Sequence, residues 1–196
     1  MIYLLRHGQT EYNLERRIQG TLDSPLTSLG REQAQSMGRR LRELLEGEEE
    51  QFDLVSSPQG RALESARIVS EAAGIGSPVI SDARLCEVGC GSWEKHHFAS
   101  ICARDPLVEE EPCFLSAWAN YCTDGEGLDP AVERLWGWLC WAGKRNLAVV
   151  GHGVAGSILR ALYAGEDRDG MLAYHSARQD VIYRLDRGWV EEIPAR

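Results

Sequence analysis

Two short apolar runs near opposite ends of the chain, Met1–Leu5 and Leu147–Val150, each lead into a histidine followed by glycine: His7-Gly8 and His152-Gly153. Runs of this length and content read as buried strands. In an open α/β sheet, ligands bind in the crevice outside the carboxyl ends of the strands, so the two runs predict both histidines at one cleft. A lone strand-end histidine is usually a loop residue with a satisfied hydrogen bond. Two in the same local setting, one of them beside Arg6, point to a shared site.

The intervening sequence alternates strand and helix signals. Thr27 predicts the cap of a helix whose apolar face reads Ala34, Met37, Leu41, Leu44 and Leu45, followed by the acidic run Glu46–Glu50 as a solvated loop. Phe52–Val55 reads as a strand, Gly60–Ala73 as a helix stopped by Gly74, and Pro78–Ile80 as a short strand. A helix from Pro130 to Ala142 carries Trp136, Trp138 and Trp141, read as core packing. Val154–Ala164 is a helix stopped by Gly165. Val181–Leu185 and Trp189–Ile193, turned by Asp186-Arg187-Gly188, form a closing hairpin. Such alternation implies a parallel or mixed sheet with helices on both faces.

At 196 residues the chain suits one well-buried core, so residues 1–196 are expected to form a single domain. Residues 95–125 break the pattern, being rich in Cys, Pro and aromatics with weak periodicity. They read as a helical insertion or lid over the cleft. A net charge of −9 argues against nucleic acid or an anionic membrane as partner, since both require a basic face. An anionic substrate would therefore depend on local positive charge from Arg6, Arg61 and Arg16 or Arg17.

The opening Ile2-Tyr3-Leu4-Leu5 lacks the basic flank and length of a signal segment, so the expected location is cytoplasmic. The six cysteines contain no Cys-x-x-Cys pair and read as free thiols. Cys86, Cys90, His96, His97 and Cys102 match no standard zinc spacing, and no metal site is expected there.

Phosphoryl chemistry needs fixed cationic donors, an in-line nucleophile and an acid for the leaving oxygen. Arg6-His7-Gly8, Arg61 after Ser56-Ser57-Pro58, Glu87, and Gly151-His152-Gly153 supply one candidate for each role.

These residues carry a resemblance. The segment Arg6-His7-Gly8-Gln9-Thr10-Glu11-Tyr12-Asn13, with Arg17-Ile18-Gln19-Gly20, Asp23-Ser24-Pro25-Leu26-Thr27 and Gly30, resembles the opening of the histidine phosphatase superfamily, also called phosphoglycerate mutase-like. Ser56-Ser57-Pro58-Gln59-Gly60-Arg61-Ala62 is similar to its second arginine motif, and Leu85-Cys86-Glu87 with Gly91-Ser92-Trp93-Glu94 to its acid-bearing loop. Gly151-His152-Gly153 is similar to its second histidine motif. The likeness covers residues 1 to 94 and 125 to 160, and its strength lies in five motifs in the right order.

The resemblance implies a three-layer α/β/α sandwich with a mostly parallel mixed sheet, and a metal-independent phosphatase that needs no cofactor. It implies His7 as nucleophile forming a phosphohistidine, with Arg6, Arg61 and His152 holding the non-bridging oxygens. Gly8 and Gly153 would let backbone N–H groups approach the anion. Asn13, Gln19 and Gly20 belong to the expected substrate-binding rim. Glu87 is the expected acid, with Glu94 its competitor, because a neighbouring phosphate dianion favours the protonated carboxylic acid.

Lys95, Ser65 and Gly125-Glu126-Gly127 depart from the family pattern and leave the substrate open. Glycolytic mutases of the family carry a basic insertion with paired arginines. Here residues 95–125 offer only Lys95 and Arg104 beside Glu109-Glu110-Glu111. Hydrolysis of a small phosphorylated metabolite is therefore expected over mutase activity or a non-catalytic binding role. Asn13 to Gly20 looks most like the broad-specificity phosphatases.

Overall fold

The computed structural model describes residues 1–47 and 49–195. Its centre is a six-stranded sheet of β1 (Ile2–Arg6), β2 (Asp53–Ser56), β3 (Ile80–Ser81), β4 (Leu147–Gly151), β5 (Val181–Asp186) and β6 (Trp189–Pro194). The spatial order is β3-β2-β4-β1-β5-β6. β3, β2, β4 and β1 run parallel, and β5 and β6 close the sheet antiparallel. The alternating pattern predicts a parallel or mixed sheet, and the sheet is mixed and mostly parallel, as the resemblance implies.

Period-two alternation sorts the strands into two cores. Tyr3 and Leu5 of β1, Leu54 of β2, Ala148 and Val150 of β4, and Ile182 of β5 face one layer. There they meet Ala34, Met37 and Leu41 of α2 (Ser28–Leu45) and Ala62, Ala66 and Val69 of α3 (Gly60–Ala73). Ile2, Leu4, Val55, Leu147, Val149 and Tyr183 face the other layer. That layer holds α6 (Leu128–Ala142) and α7 (Gly153–Ala164), the latter buried from Gly153 through Ala161. The three-layer α/β/α sandwich follows.

Local signals set the element ends. The Thr27 side chain accepts the Gly30 N–H at 3.0 Å and starts α2, while Gly74 and Gly165 end α3 and α7 in the left-handed region. Two short helices were not apparent from periodicity: α1 (Glu11–Leu14) and α8 (Arg168–Leu172). Each is too brief to show an apolar stripe. The expected loop at Glu46–Glu50 is partly ordered. Glu46 is a left-handed helix cap, Glu49–Gln51 makes a 3₁₀ turn, and residue 48 lies outside the described residues.

Other expectations shift. The third strand starts at Ile80 rather than Pro78, because its ladder with β2 pairs Val55 with Ile80 and Ser56 with Ser81, and proline has no N–H to donate. The hairpin turn is only Arg187-Gly188, both at positive φ, since Asp186 and Trp189 already pair. Of the three tryptophans on α6, Trp138 is buried and Trp141 half-buried under the Arg84 and Arg145 guanidinium groups, but Trp136 is 54% exposed. Trp136 therefore does not serve as core.

Residues 95–125 form α4 (Phe98–Cys102), a 3₁₀ turn at Pro106–Val108 and α5 (Phe114–Tyr121). Ile101, Val108, Leu115 and Trp118 join the α6/α7 core, so the segment is packed down and presents Phe98 and Phe114 at the cleft. Among the described residues no helix is long and apolar enough to cross a membrane.

Leu54 is wholly buried on a central strand, so Leu54→Ala is expected to cost about 2–5 kcal/mol, and Trp136→Ala no more than about 0.5 kcal/mol. Urea unfolding monitored by far-ultraviolet circular dichroism checks both. Equal losses would contradict the packing described.

Candidate active site

Strand register brings the two histidines together. Arg6 pairs with Gly151 and Ser56 with Val150, so residues 7, 152 and 57 leave three adjacent strands side by side. The ladder extends beyond the strands, with His7 N donating to Gly151 O and Ser57 N to Val150 O. The histidine rings end 5.2 Å apart between centroids, edge to face. His7 lines a cavity of about 240 Å³ that also receives Arg6, Arg61, Glu87, Gln19 and Gly20, and the His152 ring lies behind it against His7.

His7 is fixed through both ring nitrogens. Nδ1 lies 2.7 Å from Gly8 O, a pure acceptor, so Nδ1 carries the proton. Nε2 is left with its lone pair and accepts the Arg61 Nε–H at 3.2 Å. Burial, reinforced by the Arg6 and Arg61 charges, holds the imidazole well below the ordinary 6.5. At neutral pH the site therefore contains a neutral imidazole whose unprotonated Nε2 accepts from a guanidinium.

Arg61, 2% exposed, is clamped by the loop after the first motif. Its Nη1 donates to Leu22 O at 2.6 Å and Asp23 Oδ1 at 3.3 Å, and its Nη2 to Gly20 O at 2.9 Å. A single Nη2 hydrogen is left over. Arg6 donates from Nη1 to Ala177 O at 2.9 Å, while its buried Nε has no partner.

His152 Nε2 meets Ser57 Oγ at 2.7 Å, and its buried Nδ1 is unpartnered. Burial first, then the Arg61, His7 and Arg6 charges, push this imidazole well below the ordinary 6.5. It is therefore a neutral hydrogen-bonding group in the free protein, not a cation. Gln19 is buried at the same cavity with an unpartnered Oε1. Buried polar groups are nearly always paired, so the two orphans at the cavity, Arg6 Nε and Gln19 Oε1, suit a polar ligand.

The Glu87 carboxylate sits on the amino end of α7. Oε2 accepts from Gly153 N at 2.9 Å and Val154 N at 3.1 Å, and Oε1 from Ala155 N at 2.8 Å. Unsatisfied N–H groups and the helix dipole make this position favourable for an anion. Glu94 lies elsewhere. It accepts from Thr21 N at 2.8 Å and Cys90 N at 3.1 Å, and so ties two loops together.

Several residues of the expected rim are placed differently. The Gly8 N–H donates to Ser65 Oγ at 3.1 Å, and a Cβ there would stand 2.0 Å from Gly30 O, so Gly8 serves a close backbone crossing. The Gly153 N–H is held by Glu87. Gly20, at φ +54°, lines the cavity, and its carbonyl accepts from Arg61 Nη2. Asn13 does not line the cavity. Its Oδ1 accepts from Thr10 N and from Gln179 Nε2.

Sequence reasoning attached no role to Ser57, Gln59, Asp23 or Ser65. Ser57 holds His152, and Gln59 bridges Glu87 N to the Gly20 and Thr21 carbonyls. Asp23 takes both the backbone and side chain of Arg61, and Ser65 joins Gly8 N to Arg61 O. Ser57, Gln59 and Asp23 fall inside the quoted motifs, and Ser65 stands among the departures from the family pattern. Of the imagined metal cluster, Cys90 and Cys102 are buried while His96 and His97 are exposed. Among the described residues no group of three or more His, Cys, Asp or Glu is arranged for a metal.

The depressed imidazoles have a pH consequence. Below the ordinary 6.5 the unfolded chain takes up protons at these histidines before the folded one does, so stability declines as pH falls from that value. Proton NMR titration of the imidazoles is expected to show no midpoint at or above 6.5 for His7 or His152, and His7→Gln should flatten the loss of thermal stability between pH 6.5 and the folded midpoint. A midpoint above 6.5 for either ring would contradict the burial described.

A family model described as histidine phosphatase superfamily (branch 1) matches residues 2–188. A protein of Klebsiella pneumoniae named "Probable phosphoglycerate mutase GpmB" is 39% identical over 164 residues, spanning 79% of this chain and 70% of that protein. Among solved structures, Bacillus stearothermophilus YhfR superposes with a TM-score of 0.77 at 30% identity, covering 98% of this chain and 95% of the other. A mycobacterial glucosyl-3-phosphoglycerate phosphatase gives a TM-score of 0.76 at 27% identity, covering 93% and 87%. A match over nearly the whole length, together with the same paired strand-end histidines the resemblance rests on, establishes that the chain belongs to the histidine phosphatase superfamily.

Proposed function

We propose that this chain is a metal-independent phosphomonoester hydrolase that acts on a small phosphorylated metabolite through a phosphohistidine. The observation that carries the reading is the neutral His7 imidazole, its Nε2 lone pair free of a proton and set against the Arg61 Nε–H. In the first step that lone pair forms an N–P bond as the ester O–P bond breaks. Gly8 O, held by Nδ1–H, supports the positive charge that the ring acquires. Arg6 and Arg61 take the equatorial oxygens, and His152 Nδ1 offers a hydrogen bond to the same group.

Glu87 gives its proton to the departing oxygen and, as a carboxylate, later takes one from water as that water's oxygen bonds phosphorus and the N–P bond breaks. Released products are the alcohol and inorganic phosphate. In the free protein Glu87 holds the amides that open α7. An incoming phosphate dianion competes for the same positive end, which frees the carboxyl to turn toward the ester oxygen.

Brief exposure to a ³²P-labelled ester in excess chelator, with an alkaline quench, is expected to leave label on His7. His7→Ala should abolish both label and turnover without altering the fold. Label on another residue, or dependence on added metal, would overturn the reading. A second reading, phosphoryl transfer to another alcohol, draws on the mutase name of the relative. Including acceptor alcohols and following phosphorus by NMR separates it, since hydrolysis yields inorganic phosphate alone.

Glu87→Gln is expected to slow an alkyl phosphate at least about a hundredfold more than a nitrophenyl phosphate, whose phenolate departs without a proton. The ratio of the two rates is insensitive to any loss of folded protein. Glu94→Gln, which loosens the ties to Thr21 and Cys90, should lower stability and leave that ratio unchanged. The opposite pattern would make Glu94 the acid.

A further inference from the structure

Arg160 of α7 is a buried cation that the chemistry described above does not use. Only 6% of it is exposed, and the nearest carboxylate among the described residues, that of Glu192, lies 3.9 Å away and is itself half-exposed. Backbone carbonyls and aromatic faces satisfy the guanidinium instead. Nε donates to Gly156 O at 3.2 Å and Nη2 to His175 O, while the group lies over the rings of Tyr183 and Tyr174, 4.2 and 5.4 Å from their centroids. As a filler such a cation has little advantage, because an apolar side chain of similar volume is often as stabilising. What it adds is direction, a planar fork that fixes the His175 carbonyl against α7.

The segment that Arg160 holds is the one that receives Arg6. The Ser157 hydroxyl reaches the same His175 O at 2.8 Å and lies 3.4 Å from Arg160 Nη2. Ala177 N donates to Gly153 O at 3.0 Å, and Arg178 N to the Tyr183 hydroxyl at 2.9 Å. Residues 175–178 are thereby fastened to α7 and β5. From this segment Ser176 lines the catalytic cavity and Ala177 O accepts from Arg6 Nη1 at 2.9 Å, the one acceptor that guanidinium has among the described residues. Gly153 bounds Arg6 closely, since a Cβ there would stand 3.2 Å from Arg6 Cζ. We propose that Arg160 is a positioning residue for Arg6: by holding His175 O it places Ala177 O, and Ala177 O fixes the direction in which Arg6 offers its remaining N–H groups to a phosphoryl group. The proposal rests on the hydrolase reading only for the phosphate-binding role of Arg6.

Inorganic phosphate tests the link without requiring turnover. By phosphorus NMR titration, Arg160→Met is expected to weaken phosphate binding about tenfold, the effect of misdirecting one charge-assisted hydrogen bond. Ser157→Ala withdraws the other donor from His175 O, is milder on the fold, and should weaken binding by a smaller factor. Arg160→Lys keeps a cationic donor on a long stem and should recover part of the affinity lost in Arg160→Met. Repeating the series on Arg6→Met protein separates positioning from general loosening. The thermal unfolding midpoint should fall alike in both backgrounds, whereas phosphate affinity should fall only where the Arg6 side chain is present. An affinity unmoved by both Arg160→Met and Ser157→Ala, or an equal loss with and without Arg6, would overturn the proposal. Turnover of phosphate esters is scored separately. If the affinities follow this pattern while no ester is cleaved, the hydrolase reading fails and the positioning role stands.

Discussion

A buried guanidinium organises this molecule. Arg61 is almost entirely removed from water, and a desolvated cation must find acceptors for its N–H groups. It finds Gly20 O, Leu22 O and Asp23 on one side and the His7 lone pair on the other. That one side chain therefore joins α3, the loop after α1 and the end of β1. The loop in turn is held by Gln59 and Glu94, so the stretch from Glu87 to Glu94 is tied to the same anchor. The arrangement holds positive charge beside a neutral imidazole, an electrostatic setting preorganised for an anion.

The sheet supplies the geometry on which that anchor acts. β4 lies between β1 and β2, so the strands bearing His7, His152 and Ser57 end in neighbouring columns of one parallel ladder. A slip of one residue would send the apolar alternation of both cores to the wrong faces, so burial on two sides pins the register and with it the histidine pair. The helix that follows β4 adds its amino-terminal dipole at the same place. In the free protein Glu87 occupies those amides, so an acidic side chain holds the position where a phosphate oxygen would be most favoured.

Much of the fold was legible because its signals are local. Period-two apolar runs, the Thr27 cap, the glycine stops and the helical stripe of α2 all depend on residues a few positions apart. Short elements without a full period, α1 and α8, gave no such signal, and the exposed Trp136 shows that periodicity alone does not say which turn of a helix meets the core. The weak periodicity of residues 95–125 reads as a helical insertion or lid over the cleft, yet nothing in that sequence reveals that Phe98 and Phe114 line the cavity.

The sequence by itself determined the residue types, the order of strands and helices, and the strand-end setting of both histidines. Only the tertiary structure decided which partner each polar group would take. Gly8 turned out to serve a backbone crossing, Asn13 to bridge Thr10 and Gln179, Gly20 to hold Arg61 by its carbonyl, and Ser57 to hold His152. The reason is physical. Secondary structure is selected by interactions between near neighbours in the chain, whereas a buried polar group pairs with whatever acceptor or donor the packed layers bring within about 3 Å, often from a distant segment.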